Sequence, residues 1–247
     1  MCKFNPFICF DAVPPDSVAA RGSLLRGKHG KILEAQHNKL DFAAGLDVMC
    51  VEQPCCCLLS TLGVPCGFTS CYSRHLVLKS YANGVSDFIC CQGYVDKCCC
   101  FEPASCFPGS SLGLCLEGCC CPMFSLSIAR IHVMDIKRLR PDPMDYQTIA
   151  CSNCLQLLSC ICDCLSICVE DLREAALVID LVADLVTCSV GGCMGAQIYH
   201  EVHNDPGIKA PGALGMERDS LTASSSAKYG TTPGATPVTI GVPVSVA

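Results

Sequence analysis

The chain has no Asn-X-Ser/Thr acceptor, no phosphate-binding loop, no dinucleotide fingerprint and no HExxH pair. These absences leave no N-glycosylation acceptor and no motif signal for a P-loop nucleotide site, a dinucleotide fold or the HExxH zinc hydrolases. No Cys-His or Ser-His-Asp order is recognisable either, so a non-enzymatic protein is expected. Charge is sparse, with a formal net of −6 over 247 residues. It is unevenly spread. Residues 1–40 carry six Lys/Arg against three Asp/Glu, and residues 101–200 carry five against eleven. No run of like charge marks a nucleic-acid face, and no nucleic-acid partner is expected. The N-terminus, MCKFNPFICFDAVPPDS, lacks the apolar core of a secretory leader. Long uncharged apolar runs are missing as well. A spanning helix needs about 20 apolar residues with few charges. Here Glu117, Arg130, Asp163, Asp180 and Asp184 interrupt every candidate in the helical region. Spanning therefore requires those charges to face one another inside a bundle.

Cysteine is what the chain does have. There are 26, all between Cys2 and Cys193, and the last 54 residues have none. The contiguous triplets Cys55-Cys56-Cys57, Cys98-Cys99-Cys100 and Cys119-Cys120-Cys121 argue against a disulfide framework. Neighbouring cysteines rarely reach the Cα separation that a bridge between them needs. Reduced thiols in contact with the cytosol are expected, since that compartment keeps thiols reduced, with an oxidised, disulfide-stapled exterior protein as the alternative.

In chain order, residues 1–48 read as an irregular arm with Pro6, Pro14 and Pro15, followed by a short helix over 31–42. Residues 49–110 hold twelve cysteines and many turn formers. Within them SRHLVLKS (73–80) alternates like a strand, Asn83-Gly84 supplies a hairpin turn, and FICCQGY (88–94) reads as the returning strand. A small cysteine-rich β/irregular module is expected there.

Residues 111–201 read as a three-helix bundle. The first helix begins near Leu112 or at Pro122, with a kink if it runs through the proline. Phe124, Ile128, Ile131 and Met134 line one side of it. The second helix carries an apolar stripe of Cys154, Leu158, Ile161, Leu165 and Cys168. Its polar stripe is Gln156, Ser159, Asp163, Ser166 and Glu170, which predicts one wet face. In the third, Ala175, Val178, Val182, Leu185 and Ser189 are expected inward, with Asp180, Asp184 and Thr187 on another side. Gly191, Gly192 and Gly195 near its end suit close helix packing. Residues 202–247, rich in Pro, Gly, Ser and Thr, read as an extended or disordered tail. Its alternating Val238, Ile240, Val242, Val244 and Val246 suit strand addition to a partner. The fold class expected is thus α+β.

Three chemistries compete for the cysteines. Structural zinc would draw on Cys66, Cys71, Cys90, Cys91, Cys98, Cys151 and Cys154, although the spacing is not a tidy double CxxC. Lipid acylation would use Cys119, Cys120 and Cys121, and two or more chains give stable attachment. Inside the helices, cysteines also serve as small hydrophobes. Asp163, Asp180 and Asp184 are candidate cation ligands or a solvated face.

The stretch CLEGCCCPMFSLSIARIHVMDIKRLRPDPMDYQTIACSNCLQLLSCICD (115–163) resembles a group of cysteine-rich proteins of unicellular eukaryotes. It is more loosely similar to the cornifelin-type (placenta-specific) cysteine-rich family. The features that carry this are Cys119-Cys120-Cys121-Pro122, the basic segment before Pro141, Asp142, Pro143 and Asp145, and the later cysteine run. The resemblance implies membrane association, oligomerisation and a role in metal handling. The reading that follows is a membrane-associated structural or scaffold protein at a cytoplasmic membrane face. It would be a subunit of an assembly with other proteins or with copies of itself. The alternative is a zinc-binding or metal-transport protein using clustered thiols with Asp163, Asp180 and Asp184.

Overall fold

Three prolines set where helices start. Pro54, Pro122 and Pro143 each occupy a first turn, where the missing N–H costs nothing and the fixed φ suits the helix. At the last of these, the Asp142 side chain caps the helix by accepting from Met144 N at 2.7 Å. The computed structural model describes Asn38 and residues 40–94, 105–140 and 142–205. Among them are seven α-helices: α1 (Leu46–Glu52), α2 (Pro54–Gly63), α3 (Phe68–Tyr81), α4 (Ser111–Cys120), α5 (Pro122–Lys137), α6 (Pro143–Ser166) and α7 (Arg173–His203). Two-residue strands β1 (Leu40–Asp41) and β2 (Leu139–Arg140) pair in parallel, Leu40 opposite Leu139. Short 3-10 turns occur at Gly84–Asp87, Cys90–Gly93 and Glu170–Leu172.

The chain is therefore mostly helical, and the expected α+β fold is corrected. The stretch 73–80 is no strand but part of α3. Its buried residues Thr69, Ser70, Ser73, Arg74, Val77 and Leu78 recur at helical spacing. Four of those six are polar or charged, which hides the helical period from a reading of hydropathy. Residues 88–94 contain the 3-10 turn Cys90–Gly93, with Cys91 and Gln92 at positive φ, and no returning strand. Of the helix expected over 31–42, Leu40 and Asp41 are in β1, and most of the rest lies outside the described residues, as does the tail beyond 205.

A separate three-helix bundle does not form either. Region 111–201 supplies four helices, because α4 and α5 meet at Cys121 with a bend of 118°. Helices α2 and α3 meet with a bend of 117°. Gly67 makes that corner possible: its φ is +73°, and a Cβ there would lie 2.7 Å from Cys119 Cα on α4. Helix α7 packs on α1, α2 and α3 as well as on α5 and α6. At the centre is α5, buried on nearly every side through Met123, Leu126, Ala129, Val133 and Met134. The second half of α7 joins that core through Val190, Met194, Ile198 and Val202.

The α6–α7 hairpin is built the other way round. Ser152, Gln156 and Ser159 of α6 are buried, while Leu157, Leu158, Ile161 and Leu165 are exposed. On α7, Leu177, Val178, Leu181, Val182 and Leu185 are exposed, at 46–62%. Gln156 and Ser159 of the stripe expected to be wet point inward, Asp163 and Ser166 are half-buried and Glu170 is exposed, while the residues of α7 expected inward point out. Hydrogen bonding between the two helices decides this, since polar side chains removed from water need partners.

Candidate functional site

Three groups of side chains hold the chemistry. The first is an ionic centre. Arg130 on α5 pairs with Asp145 on α6, both essentially excluded from solvent. Arg130 Nε also donates to Gln197 Oε1 on α7 at 2.9 Å. Gln197 Nε2 donates in turn to the Ala44 carbonyl at 2.9 Å and to Asp145 Oδ2 at 3.2 Å. The other oxygen of Asp145 accepts from Leu46 N, at the start of α1, at 2.8 Å. One buried ion pair thus locks four helices, with its lone pairs and protons shared among neutral amides. At the end of α5, Lys137 Nζ lies 2.6 Å from Glu201 Oε2 and 3.2 Å from the Glu201 carbonyl.

The second group is the inner face of the α6–α7 hairpin. Ser152 Oγ and Thr187 Oγ1 are 2.9 Å apart. Gln156 Nε2 donates to Thr187 Oγ1 at 2.9 Å and to Asp184 Oδ1 at 3.1 Å. Ser159 Oγ donates to Asp180 Oδ1 at 2.7 Å. The aspartates that break the apolar run of α7 are thereby satisfied from α6. Asp163 is half-buried, and among the described residues no thiol joins these three carboxylates in a ligand group.

The third group is sulfur. The described cysteines are free thiols. Two sets of side chains are close enough to hold a metal ion: Cys50, Cys57 and Cys193, and Cys90, Cys91 and Glu117. In the second set, Glu117 is already committed. Its Oε1 lies 3.2 Å from Arg74 Nε, an ion pair by distance though not aligned as a hydrogen bond, and accepts from Ser125 Oγ at 2.9 Å. Its Oε2 accepts from Cys91 N at 2.6 Å. Cys90 and Cys91 are 3.8 Å apart through sulfur. That contact holds the Cys90 thiol below its ordinary value. The same contact, then burial and then the Glu117 carboxylate, push Cys91 far up.

Of the residues singled out in the sequence, Cys90 and Cys91 come together. Cys66 donates to the Gly63 carbonyl, and Cys71 faces the carbonyls of Leu114 and Cys115. Cys151 and Cys154 are exposed on α6, in neither metal-compatible set, and Cys98 lies outside the described residues. Cys119 and Cys120 are exposed and Cys121 half-buried at the α4–α5 corner. The glycines of α7 face α2, α3 and α5. A Cβ at Gly192 would lie 2.9 Å from Thr61 Cα, one at Gly195 2.6 Å from Thr69 Cγ2, and one at Gly191 2.7 Å from Met123 Sδ. The sequence reading missed Cys50, Cys57 and Cys193, because 136 residues separate the last two. It missed Arg74 and Glu117 because neither neighbours the other in sequence. The stripes of α6 and α7 were visible, but the inward direction was not.

No family model matches the chain, and neither a curated protein nor a solved structure is found to be similar to it.

Proposed function

We propose that this chain is a membrane-embedded, non-enzymatic scaffold protein, with α6 and α7 crossing the bilayer as a hairpin. The observation that carries the proposal is the reversed polarity of that hairpin, leucine and valine outward and aspartate, glutamine and serine inward. Such an arrangement has a physical reason in lipid, where polar groups must find partners inside the protein. In water it would leave a large apolar face exposed.

Length and charge placement support the reading. Both helices are long and apolar enough to cross a membrane. Helix α7, with 31 residues, is about 46 Å long. Charges gather at its ends, at Arg173 and Glu174 on one side and Glu201 and His203 on the other, with Asp180 and Asp184 the charged residues between. The bent pairs α2–α3 and α4–α5 have the composition of a broken span or a re-entrant loop. Of their internal charges, Arg74 and Glu117 face each other, and Arg130 faces Asp145.

Free thiols among the described cysteines support a membrane bordering the cytoplasm. The exposed Cys119 and Cys120 support acylation at the α4–α5 corner. Outward Leu58, Leu59 and Leu62 on α2 offer apolar surface to a neighbouring subunit or a second copy. The cornifelin-type resemblance points the same way.

The test is alkaline carbonate extraction of membranes from cells expressing the full chain. Retention in the pellet is expected, and release into the supernatant would overturn the embedded reading.

A second reading, metal-ion binding with zinc as the first ion to try, is favoured by the two ligand groups described above. Metal analysis of the purified chain checks it, and less than one ion per chain counts against it.

A further inference from the structure

The sulfurs of Cys50, Cys57 and Cys193 come from α1, α2 and α7 and take no part in the polar network between α6 and α7. Their separations are 2.8 Å for Cys50–Cys57, 3.2 Å for Cys50–Cys193 and 3.4 Å for Cys57–Cys193. All are longer than the roughly 2.05 Å of a disulfide. All three therefore point at one place without being bonded. Among the described residues the group closes at three, with no fourth His, Cys, Asp or Glu ligand atom within 4.8 Å of all of them. Buried Ala44, Met49 and Ala196 pack around Cys57, with Cys56 and Cys193 against them. The apolar side chains packed around Cys57 are thus methyl groups and sulfur.

We propose that Cys50, Cys57 and Cys193 form a three-coordinate thiolate site for a soft monovalent metal ion, copper(I). The proposal deepens the metal-binding reading and rests on it, by assigning the ligands and the ion. Thiolates select soft ions, copper(I) among them. Structural zinc almost always takes four protein ligands, and among the described residues the cluster offers three. With Cys57 buried and Cys193 half-buried, solvent reaches the cluster from the Cys50 side, where the thiol is exposed. That side is also the entry path and the exit for the thiol protons that an incoming ion displaces. A trigonal ion with metal–sulfur bonds of about 2.3 Å holds its sulfurs about 4 Å apart. Loading therefore spreads the triad by roughly an ångström, and the exposed Cys50 on the short helix α1 is the member best placed to move. The Cys90–Cys91–Glu117 set is the poorer site for the same ion. Arg74 already supplies its positive charge, and one ligand is a hard carboxylate.

The experiment uses the full chain in detergent, reduced with a phosphine and freed of metal. One equivalent of copper(I) or of zinc(II) is added, then a maleimide, and each cysteine is quantified by mass spectrometry against the metal-free chain. Copper(I) is expected to lower labelling at Cys50, Cys57 and Cys193 together and to leave Cys151 and Cys154 unchanged. Cys50→Ser, at an exposed position, keeps the helical circular dichroism. It abolishes the protection of Cys57 and Cys193, and it loses about one equivalent of copper(I) in competition with bicinchoninate. Protection by zinc but not copper(I), or protection spread evenly over the cysteines, overturns the proposal. Protection confined to Cys90 and Cys91 overturns the assignment and leaves the metal reading standing. If no cysteine is protected by either ion, both fall.

Discussion

The two halves of α7 obey opposite rules. From Val190 to Val202 the helix buries apolar side chains and three glycines against α2, α3 and α5, as a core helix of a water-soluble domain would. From Leu177 to Leu185 it turns apolar side chains outward and keeps Asp180 and Asp184 against α6. One continuous helix with no break between the halves cannot owe this to local propensity. The difference lies in what each half faces. The first half meets a single polar helix and whatever surrounds the protein, whereas the second meets several helices at once. A helix hemmed in on all sides hides every group it has. A helix with one neighbour must choose which stripe to give it, and the choice here follows the hydrogen bonds.

The comparison breaks hardest at the ion pair. Arg130→Ala strands the Asp145 carboxylate among four helices and is expected to cost about 3–5 kcal/mol, read by denaturant unfolding in detergent. A loss below the cost of an ordinary surface change would mean that the centre does not hold the core half together.

Next in size is Leu181→Asp on the outward face, where the leucine is 62% exposed. In a bilayer the substitution costs about 3–4 kcal/mol near a helix centre, and carbonate-resistant protein should drop sharply. On a surface bathed by water it stays within about 0.5 kcal/mol, so an unchanged pellet fraction would move this half out of the membrane.

Gly192→Val belongs to the core half. The new side chain meets the Thr61 backbone, and overpacking of about 1–3 kcal/mol is expected in the same unfolding measurement. The matching change at Ser189, exposed one turn earlier, should have little effect.

The smallest effect is the pair that orients the hairpin. A double-mutant cycle of Ser159→Ala with Asp180→Asn should return a coupling of about 0.6 kcal/mol, and no more than about 1.7. Zero coupling would mean that the polar stripes meet without choosing each other.

Much of the candidate site could not be read along the chain. Arg130 and Asp145 are 15 residues apart; Arg130 stands out along the chain only as a charge interrupting an apolar stretch and Asp145 only as part of a proline turn, with nothing that pairs them. Cys57 and Cys193 looked like members of a crowd. A ligand set assembled from three helices has no spacing to recognise. The β-like alternation of 73–80 misled for a related reason. The inward side of α3 is polar because Arg74 serves Glu117, and a buried polar face imitates a surface in any hydropathy pattern.

What the residues determined unaided is the set of breaks and stripes. Pro122 starts a helix because a ring without an N–H fits a first turn. The stripes of α6 and α7 exist because side chains three and four apart share a helical face. What only the tertiary structure decided is which stripe looks inward and which thiols meet. Those outcomes depend on partners from distant segments, and an aspartate or a cysteine is the same residue until its neighbour arrives.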